Sequence, residues 1–288
     1  MNFTRRFVFH ASATAFGGQI VRPAGVVLEA SCAASLPIRG GRSTSRHPGG
    51  SLGDVVRFGS AYAHTEGVFD SFTQAVELTY GHVEEHTLTT STTVTAAIDE
   101  VVIAERPALT VKRLRGTLIS KSDTRGDETP ILLVEDTVVD TVTIDGHVLG
   151  VELNLPLFQK LATRAHLVTA ATDPQFVLDH GHCFFFPERG AIHATIVKSL
   201  RWSGTPYPGA QLDQNSVVVP GLGRVFFGEI TINASSRRLT MMRVELGSAA
   251  GGHLAFAEIE TGGIWYPPGG PAYGVAARSP KVDAIKKD

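Results

Sequence analysis

Thr87-Leu88-Thr89-Thr90-Ser91-Thr92-Thr93-Val94-Thr95 is almost wholly β-branched. Such side chains are stiff at χ1 and fit a pleated, half-buried surface better than a helix. The reading of this stretch as strand sets the class of the whole chain. Downstream, Ile98–Ala104, Leu109–Ser120, Ile131–Glu135 and Val138–Ile144 carry the same character, and Pro107, Gly126 and Pro130 stand between some of them. Asp145-Gly146 separates Val142-Thr143-Ile144 from Val148-Leu149-Gly150-Val151. A type I′ turn needs positive φ at both central residues, which Asp-Gly tolerates, so a hairpin is predicted there. Further strands are predicted over Ala191–Trp202, Arg224–Asn233, Arg238–Leu246 and His253–Thr261. Val68–Tyr80 is open between helix and strand.

One segment breaks the pattern. Leu155–Thr172 has Leu157, Phe158, Leu161, Ala165 and Val168 near helical spacing. Pro156 suits a first turn, and Asp173-Pro174 is read as the stop. The expectation is a mainly β protein: an antiparallel β-sandwich or barrel-like core with one helix near residues 155–172. Residues 1–288 are read as a single β-rich unit. A subdivision stays open, with a β block at 1–154, helix and connection at 155–180, a second β block at 181–264 and an extended tail at 265–288.

The chain has 288 residues, 43% hydrophobic and 19% charged, which excludes disorder as the main state. Lys plus Arg is 26 against 28 for Asp plus Glu, a net charge of −2. A nucleic-acid partner usually draws a basic excess, so none is expected. No apolar run reaches the roughly 18 residues of a membrane helix, so no membrane insertion is expected. Cys32 and Cys183 stand too far apart in sequence to form a disulfide framework and read as two buried thiols. Thr4-Arg5-Arg6-Phe7-Val8-Phe9 approaches a twin-arginine export signal. Yet His10, Gln19, Arg22 and Pro23 interrupt the apolar stretch after it, and Phe7, Phe9 and Ala11 alternate as a strand would. The compartment reading leans to the cytoplasm.

Candidate chemistry is sparse. His82-Val83-Glu84-Glu85-His86 fits the H-x-x-E-H pattern of inverted zinc peptidases, which works only on a helix, where residues four apart share a face. The Thr run directly after it argues for a strand. His180, His182 and His193 form a second group. If Pro187–Gly190 closes a hairpin, Phe184 faces His193 and His182 lies diagonally on the same face, a set able to hold a divalent metal. His180 and His182 with Glu188 and Gly190 downstream resemble the metal motif of the cupin barrels. Glu188 stands one residue too far, and the second half of that motif is missing. The resemblance would imply a metal-dependent enzyme on a barrel. Trp202, Tyr207, Trp265 and Tyr266 lie in two Pro/Gly-rich segments and could stack on a sugar ring or plug the ends of the β core. Glu258 and Glu260 read as an exposed same-face pair. There is no G-x-S-x-G elbow, P-loop or G-x-G-x-x-G fingerprint.

The leading expectation is therefore a non-enzymatic structural subunit without a cofactor. Its partner is itself, through sheet edges and terminal segments such as Phe3–Gly18, which alternates like an added strand. A carbohydrate- or ligand-binding β module is the alternative, and a metal-dependent cupin-like enzyme the next.

Overall fold

The β-branched stretch lies inside an 18-residue strand, and a second strand of 18 residues pairs with it along its whole length. The computed structural model describes residues 6–22, 25–52, 54–78, 81–123, 131–133, 136–180, 184–185, 191–233, 235–247 and 251–266. In chain order the first strands are β1 (Arg6–Ile20), β2 (Val26–Ser35), β3 (Gly41–His47), β4 (Gly50–Leu52), β5 (Val56–Phe58), β6 (Ala61–Leu78) and β7 (Gly81–Ile98). Next come β8 (Val101–Ile103), β9 (Leu109–Val111), β10 (Leu114–Asp123), β11 (Ile131–Leu133), β12 (Val138–Val139), β13 (Val142–Ile144) and β14 (His147–Leu153). Short helices α1 (Leu155–Lys160), α2 (Arg164–Ala170) and α3 (Pro174–His180) lie after them. The chain then forms β15 (Phe184–Phe185), β16 (Ile192–Thr195), β17 (Val197–Trp202), β18 (Gln211–Leu212) and β19 (Ser216–Val219). The last strands are β20 (Gly223–Ile232), β21 (Ser236–Leu246) and β22 (Gly252–Tyr266).

The protein is mainly β, with antiparallel sheets packed as a sandwich. Sheet A has the order β15-β16-β20-β21-β22-β1-β2, with β19 also on β20 and β18 on β19. Sheet B runs β11-β10-β7-β6-β3, with β12 also on β10. Sheet C runs β17-β14-β13-β9-β8-β5-β4. Sheet A thus draws strands from both ends of the chain, because β1 lies between β22 and β2.

Sheets B and C are two leaves of one folded layer. The chain crosses between them five times, each time through a two-residue corner: 48–49, 59–60, 99–100, 112–113 and 140–141. The order β3, β6, β7, β10, β12 in one leaf is mirrored by β4, β5, β8, β9, β13 in the other. The corner backbone is satisfied by its own rungs. Gly59 N–H donates to Glu100 O at 2.8 Å, Asp99 N–H to Ser60 O at 2.9 Å and Arg113 N–H to Asp99 O at 2.8 Å. Asp140 N–H and Lys112 N–H close the next rungs on Arg113 O and Thr141 O at 3.0 and 2.9 Å. Three expected strands, Ile98–Ala104, Leu109–Ser120 and Val138–Ile144, are each broken in two by a corner. The polar pairs Asp99-Glu100, Lys112-Arg113 and Asp140-Thr141 mark the breaks, and Arg113 takes a positive φ of 57°.

Sheet A folds along a line of its own. The ladders skip at one level: between Phe227↔Met242 and Glu229↔Thr240, between Met242↔Phe256 and Thr240↔Glu258, and between Phe16 and Thr14 on either side of β1. Gly228, Ala257 and Cys32 sit there with φ of 59°, 49° and 51°. At this level two consecutive residues are buried on each strand: Ala15 and Phe16, Phe227 and Gly228, Met241 and Met242, Phe256 and Ala257. A kink of one residue on every strand keeps the same side of the sheet on the core while shifting the alternation by one. β20, β21, β22 and β1 kink together and keep their mutual register, whereas β1 against β2 shifts by one between Phe16 and Gly18. The edge of β20 is also divided here, β16 covering residues 229–232 and β19 covering residues 223–226.

Each leaf of sheet A packs on its own partner. On one side of the bend the Phe9 ring lies beside Gly67 of β6, and Gly116 of β10 leaves room for Met241 and Ile259. On the other side the Phe16 ring stands 4.2 Å from Phe58 of β5. A buried cluster including Phe9, Ile98, Leu109, Leu114, Val142, Phe227, Leu239 and Phe256 fills the space between.

The predicted single helix is three. Thr163 adopts an extended conformation, and its side chain accepts from His166 N–H, so one helix ends before it and α2 starts after it. Asp173 Oδ1 accepts from Gln175 N–H at 2.9 Å, so Asp173-Pro174 opens α3 rather than stopping the segment. The Asp145-Gly146 hairpin is formed as expected, with φ of 45° and 83° and Ile144 paired to His147.

The bend makes a testable demand. A Cβ on Gly228 would stand 2.6 Å from Ile196 Cγ1, and Ile196 is fully buried. Gly228→Ala is expected to lower stability by about 2–4 kcal/mol, combining overpacking with the left-handed backbone. Gly146→Ala, where a Cβ meets open space, should lose only about 1 kcal/mol. Urea unfolding of both variants measures the difference.

Candidate interaction site

The long β6–β7 hairpin outgrows the sheet that carries it. At its base, Ala61, Ala63, Val94, Ala96 and Ile98 are buried against sheet A. Further out the buried positions become hydroxyl-bearing: Thr65, Thr92 and Thr90, with Ser120 and Ser122 on β10 beside them. Phe9 holds the ribbon where it leaves the core. A Cβ on Gly67 would lie 2.8 Å from the Phe9 ring and 2.7 Å from Leu36, so only glycine lets the strand lie this close. The Phe9 ring meets Phe69 edge-on at 4.9 Å between centroids and Phe7 at 4.8 Å.

Beyond this clamp the neighbours stop. β3 pairs with β6 as far as Gly67, and β10 pairs with β7 as far as Thr89. β6 and β7 go on pairing with each other to Leu78↔Gly81. Residues 68–78 and 81–88 therefore form a two-stranded ribbon with no further strand on either edge among the described residues. At roughly 3.3 Å per residue the β6 overrun is about 35 Å long. Val68 and Phe69, at its start, are 41% and 50% exposed. A two-stranded ribbon is marginal in water without a third strand or a covered face.

A second edge lies on β2, which among the described residues pairs only with β1. Val26 and Val27 at its start are exposed, as is Val21 across the turn. Of the Phe3–Gly18 segment, expected to reach a neighbour's sheet, the strand from Arg6 on pairs with β22, and only from Ser12 on does it also pair with β2 on its other side.

The expected site residues are not brought together. Trp202 on β17 and Tyr207 in the loop after it are half-buried and pack against the core. The Tyr207 ring meets His147 edge-on at 5.6 Å, and His147 Nδ1 lies 2.9 Å from Thr205 O. Trp265 and Tyr266 belong to sheet A, with backbones paired to Phe7 and Arg6. Trp202 thus lies on sheet C, and Trp265 and Tyr266 lie on sheet A.

The histidine group differs from its expected geometry. Phe185, not Phe184, pairs with His193, a register one residue away from that expected, and this removes the argument that put His182 on the same face. His182 itself lies outside the described residues, as does Cys183. His180 ends α3 instead of extending a strand, and its ring lies 5.2 Å from that of Phe176. His193 is exposed, with Nδ1 3.1 Å from Thr231 Oγ1. Among the described residues no group of three His, Cys, Asp or Glu could hold a metal ion. His82-Val83-Glu84-Glu85-His86 lies on strand β7. Two residues four apart on a strand are about 13 Å apart, so the pattern lacks the helical frame its chemistry needs. Cys32 is free and buried, and burial raises its thiol pKa.

The outer face of sheet A is a paired charge lattice. Arg243 bonds Glu229 through two nitrogens and Glu245 through a third contact, and it lies 3.8 Å over the Phe226 ring. Arg238 donates to Glu258 at 2.5 Å. Glu258 and Glu260, the expected same-face pair, are both engaged, Glu260 with His10 Nε2 at 3.3 Å. A shallow recess between α1, α2 and sheet A is lined by Phe158, Leu161, Leu167, Ile230, Ile232 and Arg237. Among the described residues no helix is long and apolar enough to cross a membrane.

A family model described as "Domain of unknown function (DUF8256)" matches residues 7–182, more than half of the chain. The chain belongs to this family. The DUF8256 match runs from β1 past the end of α3 and holds the whole β6–β7 ribbon. No curated protein and no solved structure matches the chain.

The His10–Glu260 pair gives the DUF8256 protein a pH signature. The hydrogen bond to Glu260 raises the His10 pKa above 6.5, and burial opposes it. The same bond holds the Glu260 carboxyl below its usual 4.5. The histidine's contribution is present below its unfolded pKa and lost as pH rises through the raised one. The carboxylate's is present above its unfolded pKa and lost as pH falls through the lowered one. Both act together between about pH 4.5 and 6.5. His10→Gln should therefore cost most near pH 5.5, by less than about 1 kcal/mol for so exposed a pair, and the cost should fade toward alkaline pH. Urea unfolding of both proteins across pH checks it.

Proposed function

We propose that this DUF8256 protein is a non-enzymatic structural subunit that associates with further copies of itself through free sheet edges. The observation that carries the reading is the ribbon, whose β6 edge has no strand beyond Gly67 and whose β7 edge has none before Thr89 among the described residues. Backbone N–H and C=O groups along such an edge are a ready template for another chain. The sequence of the β6 overrun strengthens this. Val68–Leu78 (VFDSFTQAVEL) holds no Lys, Arg or Pro, and its charged residues are Asp70 and Glu77 alone. β2, with exposed Val26 and Val27, is the second edge of the same kind.

The test is light scattering coupled to size exclusion at micromolar concentration. The variant replaces residues 70–89 by Asn-Gly, which joins Phe69 to its cross-strand partner Thr90 through a two-residue turn. The full chain is expected to elute as an oligomer, and the trimmed chain as a folded species of lower order. A strictly monomeric full chain, or association unaltered by trimming, would overturn the reading.

A further inference from the structure

We infer that the ribbon pairs as a closed two-fold dimer, β6 against β6 of a second copy, antiparallel and centred on Thr73. This deepens the reading of the ribbon as the associating element and rests on it. In an antiparallel ladder the N–H and C=O of one residue point the same way, and successive residues alternate between the two edges. Two identical edges can therefore meet only where the paired residue numbers sum to an even value.

For β6 the free stretch runs from Val68 to Leu78. Its midpoint is Thr73, so the longest possible overlap is also an allowed one. In that register Thr73 faces Thr73, Phe72 faces Gln74, Ser71 faces Ala75, Asp70 faces Val76, Phe69 faces Glu77 and Val68 faces Leu78. Neither acidic residue of the stretch opposes another.

The other edge behaves differently. The free stretch of β7, Gly81–Leu88, has its midpoint between Glu84 and Glu85. Full overlap is forbidden by the alternation. The two nearest allowed registers set Glu84 on Glu84 or Glu85 on Glu85, and like charges directly opposite destabilise a strand pair. One edge of the ribbon thus matches its own copy, and the other is guarded against it. Pairing through β6 alone is isologous and closes at two copies, whereas β6 on β7 would be heterologous and would grow without end. The dimer turns two marginal ribbons into one four-stranded sheet.

The experiment uses the full chain with Cys32→Ser and Cys183→Ser as background. Thr73→Cys is expected to form an intermolecular disulfide under mild oxidation, because facing Cα atoms roughly 4.5–5.5 Å apart suit one. Thr87→Cys on β7 should not. Without oxidation, Thr73→Lys should weaken the dimer at least about tenfold by setting like charges face to face, while Thr87→Lys leaves it unchanged. Association that survives Thr73→Lys but fails in Thr87→Lys would overturn this pairing and leave self-association standing. Filaments in place of dimers would also overturn it. A full chain that stays monomeric would overturn both the pairing and the function proposed above.

Discussion

Both layers of the sandwich fold along facing lines, and the rest of the architecture depends on that shared bend. Strands of 15 and 18 residues are far longer than the usual five or six, and a twisted sheet of that length cannot stay in contact with a flat partner. The chain solves this twice. In the B/C layer it breaks the strands at corners, three of them polar pairs whose backbone groups bond one another. In sheet A it keeps the strands whole and kinks them in unison. The first device uses polar residues, and the second needs small ones: Gly228, Ala257, Ala15 and Cys32 stand along the bend. A left-handed backbone is costly for an alanine or a cysteine, by roughly 1–2 kcal/mol each. Full burial on both sides of the bend is what holds them there.

The bend also explains which parts of the fold were legible in the sequence. The Thr-rich stretch and Asp145-Gly146 declare themselves through local chemistry, and both form as read. The kinks of sheet A do not, because a phase shift of one residue in Phe256-Ala257 or Met241-Met242 looks like a short apolar run. Corners such as Lys112-Arg113 look like a polar interruption inside one strand. Thr163 is a helix cap only once the chain around it turns, so the helical segment reads as continuous. Of the candidate sites, the histidine face depends on a hairpin register that local sequence does not fix, and Phe185 rather than Phe184 pairs with His193. The ribbon was the least visible feature. Val68–Tyr80 carries a pattern open between helix and strand, and where β3 and β10 end beside the ribbon is a fact of tertiary pairing that no local pattern carries.

The treatment of edges gives the ribbon its meaning. The chain passes from sheet A into sheet C through Ile196, whose N–H donates to Gly228 O while its carbonyl accepts from Asn154 N–H, so that side of the sandwich is stitched. On the opposite side β3 is an edge, and it is defended. Arg42 bonds Glu66 at 2.6 Å, and Arg46 lies over the Tyr62 ring at 5.4 Å. Charged side chains fixed along an edge keep a foreign strand away. The same sheet, one strand further in, sends β6 past Gly67 without a single basic residue. A chain that guards β3 with two arginines and leaves the adjoining overrun without any treats the two edges as different things. The asymmetry repeats within the ribbon, where paired glutamates mark β7 and β6 has none side by side. An edge without basic residues or proline beside one that carries two arginines fits the partner strand proposed for it.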